Sequence, residues 1–571
     1  MSRIDPARFE VVKNALASAA EEMKIVLAKT AYSPLLKASG DYSCGIFDAS
    51  GNMVAQGPDL PIHLGSMPDV VRGVVAAFPD VTPDDVFIQN DPYHGGSHLP
   101  DVNVMLPAFA RGRLIGYGCV RAHWADIGSA TPGSYGAVTE VYGEGLRIPP
   151  VRLFRNGELD PGIAAIIFAN VRNPEERMGD LRAQVAANRR AVVRLNALAD
   201  KYGVDELVQI MAAILDYSET MMRAALRTLP DGDAVFSEAL DGDGVIGLGQ
   251  TEDETFTIRG TIHKRGDRVV VDFTGTDPRV PGPMNAPLTV TASGVFGAIK
   301  MIADPQNLIP PNSGCWRAIE VKAPLGCVVN AQEPAPVVYA NHEISLRVAD
   351  IVLGAMHQIS PTNCIAGSQG TAGVLIFGGS DYRTGRGYVS YEVTKGGVGA
   401  RPSKDGINAI GGPLANQMNT PIEILEMSFP LRVEEYSLRP DSGGAGRWRG
   451  GVGVRRSWRI LQHDSQCSTC CERTVTAPPG LEGGLDGAPA RAFITLPDGT
   501  SHRVPSKGAF VAPSGSLVTL DLPGSGGFGP PAERDPAVLA QDLIDGYVTA
   551  AGAWRDYGVD PADLPAQGAP T

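Results

Sequence analysis

Four residues in the first quarter of the chain have the types and spacing to do chemistry: Asp41, His98, Asp101 and His123. They lie in the segments Gly40-Asp41-Tyr42-Ser43-Cys44, Asp91-Pro92-Tyr93-His94-Gly95-Gly96-Ser97-His98-Leu99-Pro100-Asp101 and His123-Trp124-Ala125-Asp126-Ile127-Gly128. Two imidazoles and two carboxylates form a mixed nitrogen and oxygen donor set, which suits zinc, manganese or ferrous iron and leaves room for water or substrate. A closed structural site would draw on cysteines instead. If the four side chains converge, the chain is a metal-dependent enzyme component. Asp91 and Asp126 are close in sequence to these ligands and are candidates to orient a histidine ring or to act as the catalytic base. The competing reading is that both cap turns beside Pro92 and Gly128. His94 reads as a surface or pocket-lining residue. His63 and His342 read as structural, with Asn341-His342-Glu343 also placed to touch substrate.

The elements that must position these residues can be read from periodicity and turn signals. Asp5 is a cap and Pro6 the first turn of an opening helix whose buried face carries Phe9, Val12, Leu16, Ala19, Met23, Val26 and Leu27. Gly40 to Asp48, Gly51 to Gln56 and Leu114 to His123 read as short strands, which puts the proposed ligands at strand ends or in loops. A helical block runs from Asn173-Pro174 to Tyr202, stops at Gly203, and is followed by a helix from about Asp205 that ends before Pro230. Beyond Asp231 the texture turns to β, with a hairpin at Lys264-Arg265-Gly266-Asp267. From Gly367 to Gly453 glycine pairs are interleaved with Tyr, Val, Ile and Arg, which fits an ordered β-rich domain. Asp535 to Tyr557 reads as a final helix, and the last dozen residues as a loose tail. The expected class is therefore α+β, mixed and multi-domain. It comprises an N-terminal metal-bearing α/β region (1–230, with a helical block 173–228), a β-rich, glycine-rich substrate and partner domain (231–530), and a C-terminal helix and tail (531–571).

With 571 residues the chain exceeds the roughly 250 to 300 residues at which a single core stops growing, so two or more domains are expected. A formal net charge of −14 argues against nucleic acid and anionic lipid, which need clustered Lys and Arg. Arg3 and Arg8 are followed by Glu10 and Lys13 rather than by an apolar block, and no stretch of about 18 uncharged apolar residues is present, so no membrane association and a cytoplasmic location are expected. Eight cysteines are too sparse for a disulfide framework. Cys467-x-x-Cys470-Cys471 with His463 could form a second metal site or redox pair, but buried thiols fit better because no second cysteine pair completes a tetrahedral set. Gly524-x-Gly526-x-x-Gly529 imitates a dinucleotide fingerprint, but Pro530-Pro531 follows where a helix should start.

The order of motifs resembles the B component of the hydantoinase/oxoprolinase family nearly end to end. The landmarks are Asp41-Tyr42-Ser43-Cys44, His63-Leu64-Gly65-Ser66-Met67, the Asp91 to Asp101 and His123 to Gly128 segments, Asp272-Phe273-Thr274-Gly275-Thr276 and Asn285-Ala286-Pro287. Asp441 to Gly446, Arg449-Gly450-Gly451, Gly526-Gly527-Phe528-Gly529 and Tyr557-Gly558-Val559 complete the series. The resemblance implies that His98, Asp101 and His123 bind a divalent metal with Asp41 as fourth ligand, and that ATP and magnesium are handled by a separate A-type subunit in an (αβ)2 assembly. No Gly-x-x-x-x-Gly-Lys-Ser/Thr loop occurs in the chain. The implied reaction is ATP-dependent opening of a hydantoin, 5-oxoproline or lactam ring. The alternative within the same family is a subunit of a ketone carboxylase of the acetone or acetophenone type, and outside enzymology a scaffold that only docks the A subunit. Two departures bear on substrate choice: Lys37-Ala38-Ser39-Gly40 is small and mostly neutral where many members carry charge, and the segment Cys467 to Arg473 is unusually rich in cysteine.

Overall fold

The computed structural model describes residues 4–246 and 254–565. Asp5 accepts a hydrogen bond from the Ala7 amide and opens helix α1 (Pro6–Thr30), whose Val12, Leu16, Ala19, Met23 and Leu27 are buried at three- and four-residue spacing. Strands β1 (Tyr42–Asp48) and β2 (Met53–Gln56) follow, then helices α2 (Pro61–Leu64) and α3 (Met67–Ala77) and strand β3 (Val86–Gln89). Next come β4 (Asp101–Ala110), β5 (Arg113–His123), β6 (Val151–Arg155) and β7 (Glu158–Leu159). These seven strands form one antiparallel sheet in the order β2-β1-β5-β4-β3-β6-β7. Helices α4 (Pro161–Ala169), α5 (Pro174–Tyr202) and α6 (Val204–Arg227) complete the first part, the break between the last two falling at Gly203, which has φ 88°.

Both faces of this sheet are covered, so its central strands read as near-continuous apolar runs rather than as alternation. The even-numbered side chains of β1 and β5, among them Tyr42, Cys44, Ile46, Val120 and Ala122, pack with α1, α5 and α6. The odd-numbered ones, Phe47, Tyr117 and Cys119, together with Met105 of β4, pack against Met67, Val71 and Val74 of α3. Along that second face the chemistry is graded. Beyond the apolar rows lies a polar row, Ser43, Arg121 and Asn103 side by side, and beyond it the row that begins with Asp101 and His123.

After residue 230 come β8 (Gly232–Asp241), β9 (Thr255–Arg265), β10 (Arg268–Asp272), α7 (Leu288–Ala303), β11 (Ile319–Lys322) and α8 (Ser345–Ile359). The β9–β10 turn falls at Gly266-Asp267, where the hairpin is expected. Strands β12 (Val374–Ser380) and β13 (Gly387–Val393), helix α9 (Ile422–Ser428), and strands β14 (Leu431–Leu438), β15 (Val454–Ile460) and β16 (Ser465–Cys470) come next. The last strands are β17 (Arg491–Thr495), β18 (Ser501–Arg503), β19 (Lys507–Ala512) and β20 (Leu517–Asp521). They form two sheets, β13-β12-β16-β19 and β14-β15-β20-β17-β18, with Leu375, Phe377, Trp458, Ile460, Val518 and Leu520 packed between them.

The architecture is mixed α and β with several sheets. The region after 230 is less uniformly β than its texture implies, since α7 and α8 are both fully formed helices. The glycine-dense stretches are largely loops packed backbone to backbone. A Cβ at Gly524 would stand 1.7 Å from the Ser442 carbonyl oxygen, and one at Gly450 1.9 Å from that of Ser525. Only a three-residue turn, Pro531–Glu533, follows Gly529, so no dinucleotide-binding helix is present there. One hydrophobic cluster joins Leu35, Leu60, Ala125 and Tyr135 to Val374, Ile376 and Tyr391, so the core crosses residue 230. The final helix is broken where the sequence suggests continuity: α10 (Pro536–Ile544) stops before Gly546 at φ 73°, and a separate helical segment runs through Ala550–Gly552 and Ala553–Tyr557. The end of the expected loose tail, 566–571, lies outside the described residues. No helix among the described residues is long and apolar enough to cross a membrane.

Candidate metal centre

Strand register brings the candidate ligands together. Asp101 opens β4, His123 ends β5, and the two are directly opposed. Tyr42 of β1 faces Ala122, which places Asp41 beside His123, and the Asp41 carbonyl accepts the His123 amide at 3.0 Å. His98 precedes a turn in which the Asp101 amide donates to its carbonyl at 3.1 Å, returning its ring to Asp101 with Nε2 3.3 Å from Oδ1. Ligand atoms of His98, Asp101 and His123 all lie within 4.8 Å of one another. Asp41 falls outside that mutual set. Its Oδ1 is 3.9 Å from Nε2 of His63, which is itself 3.7 Å from Asp101 Oδ1. His63 therefore stands between the two carboxylates, a position that its reading as a structural residue misses.

Neighbouring groups engage one atom each of His98 and Asp101 and leave the other free. His98 Nδ1 lies 2.7 Å from the Val338 carbonyl oxygen; a carbonyl only accepts, so Nδ1 carries the proton and Nε2 keeps its lone pair. Asp101 Oδ2 accepts from Ser97 Oγ and from Asn341 Nδ2 at 2.9 Å, which leaves Oδ1. His63 Nδ1 is engaged by Ser43 Oγ at 3.1 Å. Arg121 Nε donates to Asn103 and Nη1 to the His63 carbonyl and Ser66 Oγ, fixing the row beneath. Five buried atoms at this place have no hydrogen-bond partner: Asp41 Oδ1, His98 Nε2, Asp101 Oδ1 and both ring nitrogens of His123. An unmet buried polar group costs about 1–3 kcal/mol, so such a concentration needs a resident to satisfy it. A divalent cation fits the donor set: two imidazoles and carboxylate oxygen.

The electrostatics agree with that fit. Burial keeps His123 well below its ordinary value and lowers His63 to about 4, so both rings are neutral at physiological pH. Burial and the neighbouring Asp101 push Asp41 up to about 7. Burial opposes ionisation of Asp101 too, but His98 and His63 hold its carboxyl well below the usual range.

Asp91 and Asp126 are not part of the converging group. Asp91 caps the Pro92–His94 turn through the Tyr93 amide and bonds Nδ1 of the exposed His94 at 2.9 Å. Asp126 accepts from the amides of Gly128, Gly133 and Arg172 and from Arg172 Nη1. Both hold the loops on either side of the ligands.

The opposite wall comes from the second part of the chain. The Tyr391 ring on β13 lies 4.5 Å from that of His123, and Tyr391 Oη is 2.9 Å from Tyr135 Oη, which bonds His342 Nε2 at 2.6 Å. Lys395 Nζ donates to Gln417 Oε1 at 2.7 Å, and the Gln417 side chain also hydrogen-bonds Asp41. Burial lowers Lys395 to about 8, with Asp41 pulling upward. His342, Glu343 and Cys470 form a second cluster, but both His342 nitrogens are engaged, by Tyr135 and Glu343. The cysteine-rich segment does not converge: Cys467 and Cys471 face the core between the two last sheets, and Cys470 faces the opposite side. A cavity of about 680 Å³ lined by Gln56, Phe296, Trp316, Leu414 and Asn416 abuts the segment that carries Gln417.

The fold and this cluster define a mixed α/β protein with a candidate metal centre at the end of an antiparallel sheet. The sequence pattern of the hydantoinase B/oxoprolinase family matches residues 5–531, and the chain belongs to that family. It is 34% identical to the caprolactamase subunit beta of Pseudomonas jessenii, over 98% of this chain and 97% of that one. The crystal structure of the ATP-dependent caprolactamase from that organism superposes with a TM-score of 0.89 at 31% identity, covering 98% of this chain and 97% of the other. The 5-oxoprolinase of Dictyostelium discoideum is 30% identical over 92% of this chain, which spans 40% of that longer protein. An acetone carboxylase structure shares the fold, with a TM-score of 0.90 at 19% identity over 97% of this chain and 80% of that one.

Proposed function

We propose that this chain is the metal-binding catalytic subunit of an ATP-dependent cyclic amide hydrolase, opening a hydantoin, 5-oxoproline or lactam ring. It works with a separate A-type subunit that handles ATP and magnesium, in an (αβ)2 assembly. The observation that carries the reading is the set of unpartnered buried donors on His98, Asp101 and His123, within 4.8 Å of one another at one end of the sheet. A zinc, manganese or ferrous ion held there supplies Lewis acidity and a nucleophilic water near neutral pH. His98 is held in its metal-ready tautomer by Val338, and Asp101 is aimed by Ser97 and Asn341. Asp41 and His63 lie at the edge of the set, where they can accept or return a proton. Asp91 and Asp126 act at one remove, by holding the ligand loops. Burial of the whole centre excludes bulk water from the reacting carbon.

The test is metal analysis followed by reconstitution. The purified chain is expected to hold one divalent metal, which His123→Ala loses. Combined with an A-type subunit, ATP and magnesium, it is expected to open a cyclic amide. Metal-free wild-type chain, or His123→Ala with full activity in the complex, would leave only the scaffold reading. Label from bicarbonate retained in an organic product would replace hydrolysis with carboxylation.

A further inference from the structure

Lys395 lies two residues past the end of β13 and continues the alternation Tyr391, Val393, Lys395 that turns Tyr391 toward His123. It is 5% exposed, with its Nζ bonded to Gln417 Oε1 and with no salt bridge among the described residues. An ammonium offers three donors, so this one enters the interior with donors to spare. Gly411 packs close to its stem: a Cβ there would stand 3.2 Å from Lys395 Cδ and 2.5 Å from the Ala415 carbonyl oxygen. Gln417 also hydrogen-bonds Asp41, so Lys395, Gln417 and Asp41 form one buried chain at the edge of the centre. Arg121, in the adjacent row, is a second buried cation that makes no salt bridge among the described residues, where its Nη2 is also unpartnered. Against these stand the carboxylates of Asp41 and Asp101, with Asp69 acting on Arg121 and the buried Glu343 beside His342, which burial pushes up to about 8 and so keeps protonated. Once a divalent cation is added, positive charge is in clear excess in a region closed to water. Such an excess is costly unless an anion enters with the ligand.

We infer that Lys395, positioned by Gln417, binds an oxyanion carried by the substrate: the phosphoryl group of an ATP-activated amide, or a carboxylate on the ring. The inference deepens the metal-centre reading and rests on it. Lys395 would neutralise the anionic end while the adjoining ligand cluster meets the reacting carbon, so a substrate that has not been activated or lacks a carboxylate is held less firmly.

The probes are orthophosphate and acetate, each titrated calorimetrically into full-length, zinc-loaded wild type, Lys395→Met, Lys395→Arg and Gln417→Glu. Zinc content and circular dichroism are recorded for each. Wild type is expected to bind one of the two anions, Lys395→Met to weaken it roughly tenfold or more, and Lys395→Arg to retain most of it. Gln417→Glu keeps the lysine but gives it an internal carboxylate, and is expected to weaken the anion comparably. If Lys395→Met does not fold, this variant decides. Tighter phosphate assigns the site to the phosphoryl group, and tighter acetate to a ring carboxylate. A zinc-loaded wild type that binds neither anion, or folded Lys395→Met and Gln417→Glu that bind as wild type does, overturns the inference and leaves the metal centre standing. A chain that takes up no zinc overturns both.

Discussion

Replacing Asn341 by leucine separates a metal-tuning role from a merely structural one. Asn341 Nδ2 donates to Asp101 Oδ2 at 2.9 Å, one of two donors that leave Oδ1 free, while its own Oδ1 is buried without a partner. Leucine is nearly isosteric. The substitution removes a hydrogen bond to a charged group, about 1.5–3 kcal/mol, but also an unmet acceptor whose burial costs about 1–3 kcal/mol. The two nearly cancel, so the stability of the metal-free protein should change by no more than about 1 kcal/mol. Metal affinity has no such compensation: Asp101 becomes free to turn, and losses of this kind are roughly 10–100-fold. The assay is zinc titration of the metal-free chain in competition with a chromogenic chelator, beside urea unfolding of the same preparations. An unchanged zinc affinity in folded Asn341→Leu would refute the argument that this residue sets Asp101, as would a large loss of stability with no loss of affinity.

Other outcomes follow from the same geometry. Burial raises Glu144 to about 8 although its Oε1 accepts the Val337 and Val338 amides at 2.6 Å. Its folded value exceeds the unfolded one, so its stabilising proton counts in full below about pH 4.5 and is lost as pH rises through about 8. Glu144→Gln should flatten that stretch of the stability profile in urea titrations between pH 5 and pH 9, by on the order of a few kcal/mol. Gly128→Ala puts a Cβ 1.9 Å from the Asn170 carbonyl oxygen at a φ of 79°, and should lower the melting temperature through a loss of about 3 kcal/mol or more. Asp126→Ala, which leaves the Gly128, Gly133 and Arg172 amides without their acceptor, should cost about 1–3 kcal/mol. Asp126→Asn should cost less and keep bound metal in elemental analysis; a folded, metal-replete Asp126→Asn with no turnover would instead make this residue the base.

The candidate ligands stand out in the sequence because they lie in short, compositionally distinctive motifs, and Asp5, Pro6 and Gly203 mark helix ends by local chemistry alone. Their convergence was not, since it depends on pairing Asp101 with His123 and Tyr42 with Ala122, a register that turn signals do not specify. His63 lay inside a recognised motif yet read as structural, because a histidine on a short helix gives no local sign that it will face two carboxylates across a sheet. Asn341 and Val338 act through contacts 240 residues away in sequence, and Gln417 lies in a glycine-dense stretch whose composition speaks for an ordered β-rich domain but singles out no side chain. The C-terminal helix was overextended because apolar spacing continues past Gly546, where the backbone leaves the right-handed region.

The groups that ready the centre come late in the chain. All the proposed ligands have been synthesised by His123, but the carbonyl that fixes the His98 tautomer is at 338 and the amide that turns Asp101 is at 341. A nascent or truncated polypeptide ending before them carries every donor yet has neither restraint, and grips a cation only loosely. On the proposed metal reading, firm capture of an ion is therefore a closing event in maturation, and its retention would report that two distant stretches of the polypeptide have met.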